Sequence, residues 1–289
     1  VSNLGVSDIS EPGVIPDSVK VAFAIGAGVF FFSILYTILT TEEYPPKNLN
    51  EFRKKQNKDI ISMLREFSEH YVKMPLIMKK LGLIQFFSWF AFFTMWSMAN
   101  PAITEHIFNS PVPILAEYDL NNELDLEKYN SENLSFQKAS NLTGSYMGTY
   151  GLSSMLFALI LTFYTAKRKI SRKYVHMFSL AIGGVGFLLM YGMSNPAYLG
   201  LSFTLIGFAW GSVLSMPYAM LSGAVDEENM GVTMGLFNMF IVLPQIIAAT
   251  GGINYLSSLF GEASIYAMVI AGLSLLIAAG LNFLIDESN

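Results

Sequence analysis

Gln85, Trp89, Trp96 and Asn100 are spaced 4, 7 and 4 residues apart, which places them within about 60° on one face of a helix. They lie in the apolar stretch Leu81–Ala102. Amide and indole groups are poorly suited to lipid, so the stripe should face protein or a water-filled cavity. Flat indoles beside amides are what a sugar ring needs: its apolar face stacks on the indole while its hydroxyls exchange hydrogen bonds with the amides. The alternative is that Trp89 and Trp96 are bulky core residues. A second stripe, Tyr146, Tyr150, Ser153, Ser154 and Phe157, occupies Tyr146–Ala166; there the small hydroxyls suit close packing better than binding, and Tyr150 joins the cavity-lining set. Asn238 and Gln245 stand seven apart with Pro244 beside them, and two amides at that spacing serve either interhelical hydrogen bonds or ligand contacts. Gly207, Gly211 and Ser215 form a small-residue seam, flanked by Trp210 and Tyr218, that lets two helices approach closely.

Charge is missing where these residues lie. No Asp, Glu, Lys or Arg falls in the middle of any apolar segment, and Glu105 and His106 sit just past Pro101 at a segment end. An ion-coupled carrier needs an ionisable or ion-coordinating group, and these segments are expected to offer no buried one. The chain has no cysteine, which removes disulfides, thiol catalysis and thiolate metal sites. No nucleophile–base arrangement, His/Asp/Glu cluster or phosphate loop points to an enzyme, and no metal site is expected.

Seven apolar segments must position these residues: Val21–Thr40, Leu81–Ala102, Tyr146–Ala166, Tyr174–Met193, Leu199–Leu221, Val232–Ala249 and Ile265–Ile285. Each is long enough as a helix to cross roughly 30 Å of hydrocarbon. With 53% hydrophobic and 13% charged residues, the chain reads as an all-α polytopic membrane bundle. Lys and Arg crowd between segments one and two (Lys47 to Lys80) and between three and four (Lys167, Arg168, Lys169, Arg172, Lys173). That bias sets the N-terminus outside, the C-terminus inside and the basic linker in the cytoplasm, in a cell (inner) membrane. The basic runs flank spans and face the inner leaflet, so the partner is the lipid bilayer and not nucleic acid.

Residues 1–45 are expected to be an outer loop and the last helix of a preceding bundle. Residues 46–78 form a cytoplasmic linker whose Asn48–Tyr71 carries an amphipathic helix, and residues 79–289 form a six-helix bundle. The chain opens on Val1, and seven spans read as six plus one, with an N-terminal bundle of the same protein missing. The outer stretch Ile103–Thr143 is acidic and Asn-rich and is expected to be irregular with one short helix. GGINYLSSLFGEA is expected as a short outer connection. In KRKISRK, Arg168, Arg172 and Lys173 are expected to pair with Asp226 or Glu227 in the next inner loop as a gate.

FFSWFAFFTMWSMANPAITEHIF (Phe86–Phe108) resembles the seventh span of the sucrose–proton symporter branch of the major facilitator superfamily, among the glycoside–pentoside–hexuronide sugar carriers. GFAWGSVLSMPYAMLSG (Gly207–Gly223) and MGVTMGLFNMFIVLPQIIAATGG (Met230–Gly252) resemble its tenth and eleventh spans. EPGVIPDSVKVAF and TTEEYPP resemble the approach to and exit from its sixth. The resemblance implies spans six to twelve of a twelve-span carrier. It also implies proton-coupled symport of an α-glucoside such as sucrose or maltose, no cofactor beyond the proton, and a coupling carboxylate in the N-terminal half. In the superfamily's Asp-Arg-x-Gly-Arg-Arg loop, Arg168, Arg172 and Lys173 match basic positions, while Lys167 stands for the acid and Ser171 for the glycine. The rival readings are a seven-span receptor and a carrier-fold protein that senses sugar without moving it.

Overall fold

The structure, a computed structural model, describes residues 5–6, 14–42, 74–222 and 230–285. All regular structure among the described residues is helical. The chain divides into two units, Val1–Lys73 and Met74–Asn289. In the first, α1 (Asp17–Thr40) starts after Pro16, carries Asp17 in its first turn and has 24 residues. Ser33, Thr37 and Thr40 each return their hydroxyl to the carbonyl four residues back, which satisfies these three hydroxyls within the helix itself. The expected amphipathic helix at Asn48–Tyr71 lies outside the described residues.

The second unit contains α2 (Leu76–His106), α3 (Glu123–Thr165), α4 (Arg172–Leu189), α5 (Leu199–Leu221), α6 (Met230–Ile247), α7 (Ile253–Ser258) and α8 (Tyr266–Leu281). Six stretches of the described chain are long and apolar enough to cross a membrane: α1, α2, α3, α5, the run through α6 and α7, and α8. The remaining expected span is α4. It ends at Leu189 rather than Met193, has 18 residues and opens on Arg172 and Lys173. Asn195 then caps a 3-10 turn, Pro196–Tyr198, that feeds directly into α5.

The acidic stretch is far more ordered than its composition suggested. It holds one 3-10 turn, Leu115–Glu117, and then α3 begins at Glu123 and runs without a break for 43 residues, about 65 Å at 1.5 Å per residue. Asn122 caps it by accepting from the Leu124 amide, and Glu123 and Asp125 sit in the first turn, where the positive end of the helix dipole favours them. Tyr118 pins the preceding turn to this extension. Its hydroxyl donates to Glu132, its ring meets the edge of Tyr129 at 5.3 Å and the Lys128 ammonium lies 5.7 Å over its face.

The hydrogen bond to the Glu132 carboxylate pushes the Tyr118 phenol up to about 12. A raised folded-state value means that this contribution to stability is present below the free phenol's value near 10 and lost as pH rises through about 12. Replacing Glu132 by Gln should remove one late-ionising tyrosine from an alkaline absorbance titration. An unchanged titration would contradict the pairing.

A second difference lies in α6. Pro244 interrupts the helical ladder, and Gln245 turns its amide back to the Ile241 carbonyl at 3.0 Å. Ala248–Gly252 is a π-type turn, with Thr250 out of helical geometry and Gly251 at φ 110°, a conformation open to glycine. The Thr250 hydroxyl takes up the Ile246 and Ile247 carbonyls, so the break leaves them satisfied. Helix then resumes as α7, so part of the expected GGINYLSSLFGEA connection is helical.

Within the second unit α4 packs on α5, α3 on α5, α8 on both α2 and α4, and α6 on α2. Small residues set these approaches. A Cβ on Gly184 would meet the Gly272 carbonyl and Leu276, and one on Gly183 would collide with Ala209. Gly207 and Gly211 of α5 lie against Ser153, Ser154 and the Tyr150 carbonyl of α3, so the seam read from their spacing is a helix–helix contact. Ser153 and Ser154 are buried in it. The core between these contacts is aromatic and aliphatic, with Phe92, Phe187, Phe203 and Phe237 fully buried.

Candidate functional site

All three tryptophans of the chain meet in one place. Trp89 and Trp96 stand on one face of α2, two turns apart, and Trp210 reaches them from α5. The ring centroids are 6.1 Å apart for Trp89–Trp96, 5.4 Å for Trp89–Trp210 and 5.3 Å for Trp96–Trp210, all edge to face. Phe92 backs the group, 4.8 Å from Trp210. Each such contact contributes about 0.5–1.5 kcal/mol beyond area burial, enough to hold the indoles in fixed orientations. From α3, the Tyr150 hydroxyl accepts a hydrogen bond from Trp96 Nε1 at 3.2 Å. Trp96 is 38% exposed, so the cluster shows one indole to the outside while the others support it.

Gln85 lies one turn before Trp89, fully buried, with neither amide atom paired; Trp89 Nε1 is likewise buried without a partner. At the other end of the stripe, Asn100 accepts from Ser140 of α3 at 2.9 Å. Asn238 is exposed and Gln245 bonds its own helix; among the described hydrogen bonds, neither side chain reaches the cluster. The structure thus unites Trp89, Trp96 and Tyr150, and places Gln85 and Asn100 on the same helix face. Trp210 was read from the sequence only as a flank of the glycine seam. The one signal for it was that it is the third of three tryptophans, and one helix's periodicity says nothing about a residue arriving from another.

At the end of the bundle where α4 begins, cations cap helix C-termini. Arg172 Nη1 donates to the Ala219 carbonyl of α5 at 2.6 Å. Lys173 Nζ donates to the Ile285 carbonyl at 2.5 Å and the Phe283 carbonyl at 3.4 Å, beyond α8. Free carbonyls and the negative dipole end both favour a cation there. Arg168 instead lies 5.7 Å over the Tyr164 ring. Asp226 and Glu227, the expected partners, lie outside the described residues; Arg172 and Lys173 donate to backbone carbonyls, and the Lys173 ammonium also lies 5.8 Å over the Tyr174 ring.

One ionisable side chain is buried between the helices, against the expectation that these segments hold none. His176 of α4 is fully buried and its Nδ1 lies 2.8 Å from Ser212 Oγ of α5. A single histidine in an apolar run carries no periodic signal, so residue order alone does not mark it.

Residues 13–249 match the family model described as Major Facilitator Superfamily. No curated protein sequence matches the chain.

Proposed function

This chain belongs to the major facilitator superfamily, a family of membrane transporters, and we propose that it carries an α-glucoside such as sucrose or maltose by proton-coupled alternating access. The observation that carries this reading is the meeting of Trp89, Trp96 and Trp210 with the Tyr150 hydroxyl, from three helices. Among the described residues α2 and α5 bring no charged side chain into that cluster. Edge-to-face indoles leave one flat face for the apolar side of a neutral pyranose, and a hydroxyl and amides nearby suit its hydroxyls. A charged cargo would need a counter-charge that this cluster does not bring.

In this proposal the bundle from Leu76 onward rocks against a second six-helix bundle, with the sugar held between them. The end bearing Lys167–Lys173 faces the cytoplasm, as the distribution of Lys and Arg implies. Trp89, Trp96 and Tyr150 form the stacking surface, with Gln85 and Asn100 flanking it. Asn238 and Gln245 line the cavity from α6, and Arg172 and Lys173 fasten the cytoplasmic end.

The full-length protein in proteoliposomes should take up sucrose or maltose and alkalinise the external medium as it does so. Trp89→Ala and Asn238→Ala should both reduce uptake. Uptake without a pH change would remove proton coupling, and uptake unchanged in both variants would remove the sugar-site assignment.

A further inference from the structure

We propose that the end of α3 is a binding site for an anionic phospholipid, with Lys167 and Arg168 holding the headgroup and Leu156, Ile160 and Phe163 the start of an acyl chain. This rests on the chain standing in a membrane and not on the identity of its cargo. Ile160, Phe163, Tyr164, Lys167 and Arg168 line one groove at this end, so cations and apolar side chains border the same space. Leu156, Ile160, Phe163 and Lys167 follow at intervals of 4, 3 and 4, one stripe along the helix. It runs beside the row that meets α5, where Ser153, Ser154 and Phe157 lie against Gly207 and Gly211. Ile160 is 67% exposed and Phe163 72%.

Local structure holds the two cations over this groove. The amides of Lys167 and Arg168 both return to the Tyr164 carbonyl, at 3.2 and 3.1 Å, so the chain stays wound past the last turn of α3. The Arg168 guanidinium lies 5.7 Å over the Tyr164 ring, which orients it beside the groove. Lys167, Arg168 and the following Lys169 are exposed. Arg172 and Lys173, the next cations along, donate to carbonyls of neighbouring segments. No Asp or Glu occurs in the sequence between Glu132 and Asp226, and among the described residues the ion pair is Lys20 with Asp17. The carbonyl end of α3 carries about half a negative charge, which two full cations with Lys169 behind them outweigh.

A guanidinium beside an ammonium matches the oxygens of a phosphodiester. A zwitterionic headgroup brings its own cation to the same place and gains less. Each Lys or Arg at an anionic membrane surface adds about fivefold to binding. Lipid tails are as apolar as Ile160 and Phe163, so the groove supplies position and the headgroup supplies preference. A soluble phosphodiester would meet the same cations but leave the stripe uncovered. The sidedness proposed above puts this end, and so the lipid, in the cytoplasmic leaflet.

The full-length protein carrying Phe163→p-benzoylphenylalanine is placed in vesicles of equal parts dioleoyl phosphatidylglycerol and dioleoyl phosphatidylcholine and irradiated. Its lipid adducts are then identified by mass spectrometry. Phosphatidylglycerol adducts should outnumber phosphatidylcholine adducts about 25-fold, from two cations at about fivefold each. Lys167→Gln should lower that ratio about fivefold, and Lys167→Gln with Arg168→Gln should bring it close to one. Lys138→Gln, about eight turns earlier on α3, should leave it unchanged. A ratio near one with Lys167 and Arg168 in place, or a ratio undiminished in the double variant, overturns the proposal. So does an adduct to another segment of the full-length chain in place of lipid, since protein then covers the stripe. Excess soluble glycerophosphoglycerol should leave the ratio as it was; its collapse would mean that the cations take a free phosphodiester, which overturns the lipid as occupant. No sugar is present, so a failure of the sugar assignment leaves this result intact, and the reverse holds too.

Discussion

Replacing Trp210 with alanine should weaken α-glucoside binding by about 30-fold, roughly 2 kcal/mol for loss of a half-buried aromatic anchor. Trp96→Ala should have an effect of similar size, by a different route. Trp96 is the exposed indole and offers the stacking face itself. Trp210 touches Trp89, Trp96 and Phe92 together, so its removal lets both α2 indoles reorient. Every tryptophan of residues 1–289 belongs to the cluster, so the part of the emission change that differs between the unmutated full-length protein and its Trp96→Ala variant reports on it. Titration of the full-length protein with sucrose or maltose should shift the emission of these indoles, and Trp96→Ala should abolish the larger part of the shift. Trp210→Phe, which keeps an aromatic edge, should recover part of the affinity. Binding undiminished in both alanine variants would mean that the cluster is a packing core and that the sugar sits elsewhere.

Gly207→Ala should lower stability by about 1–3 kcal/mol, the usual cost of overpacking a tight contact. The added methyl would collide with Ser153 Oγ and with the Tyr150 carbonyl. The first can be relieved, since Ser153 is a short side chain, but the second is backbone and cannot move without shifting α3. Ser153→Gly in the same chain should therefore restore only part of the lost stability. Thermal unfolding in detergent reads this: a melting temperature unchanged by Gly207→Ala would contradict the close α3–α5 approach. The same strain would reach the candidate site, because Tyr150 supplies both the obstructing carbonyl and the hydroxyl that holds Trp96. Loss of sugar affinity should accompany the loss of stability.

Much of this was legible in the residue order. Segment length and apolarity placed the helices, because a chain in hydrocarbon has to satisfy its backbone internally. The four-residue spacing of Gly207 and Gly211 marked a close helix contact, and the stripe from Gln85 to Asn100 marked one polar face. Both are properties of a single helix, whose geometry is fixed at 3.6 residues per turn. The acidic stretch misled because composition alone signals loops. Its helix depends on a cap at Asn122 and on Tyr118, which is held by Tyr129 and Glu132 from further along the chain.

The sequence by itself determined that the apolar segments are helical and which residues share a face, but not the helical extension through the acidic stretch. Only the tertiary structure decided which faces meet. It brought Trp210 to Trp89 and Trp96, gave Arg172 and Lys173 the carbonyl ends of neighbouring segments, and sealed His176 against Ser212. The reason is physical: periodicity along one helix fixes angles about its own axis, whereas a site shared by α2, α3 and α5 depends on how their small residues let them pack. The polar face on α2 was therefore readable, and its third indole was not.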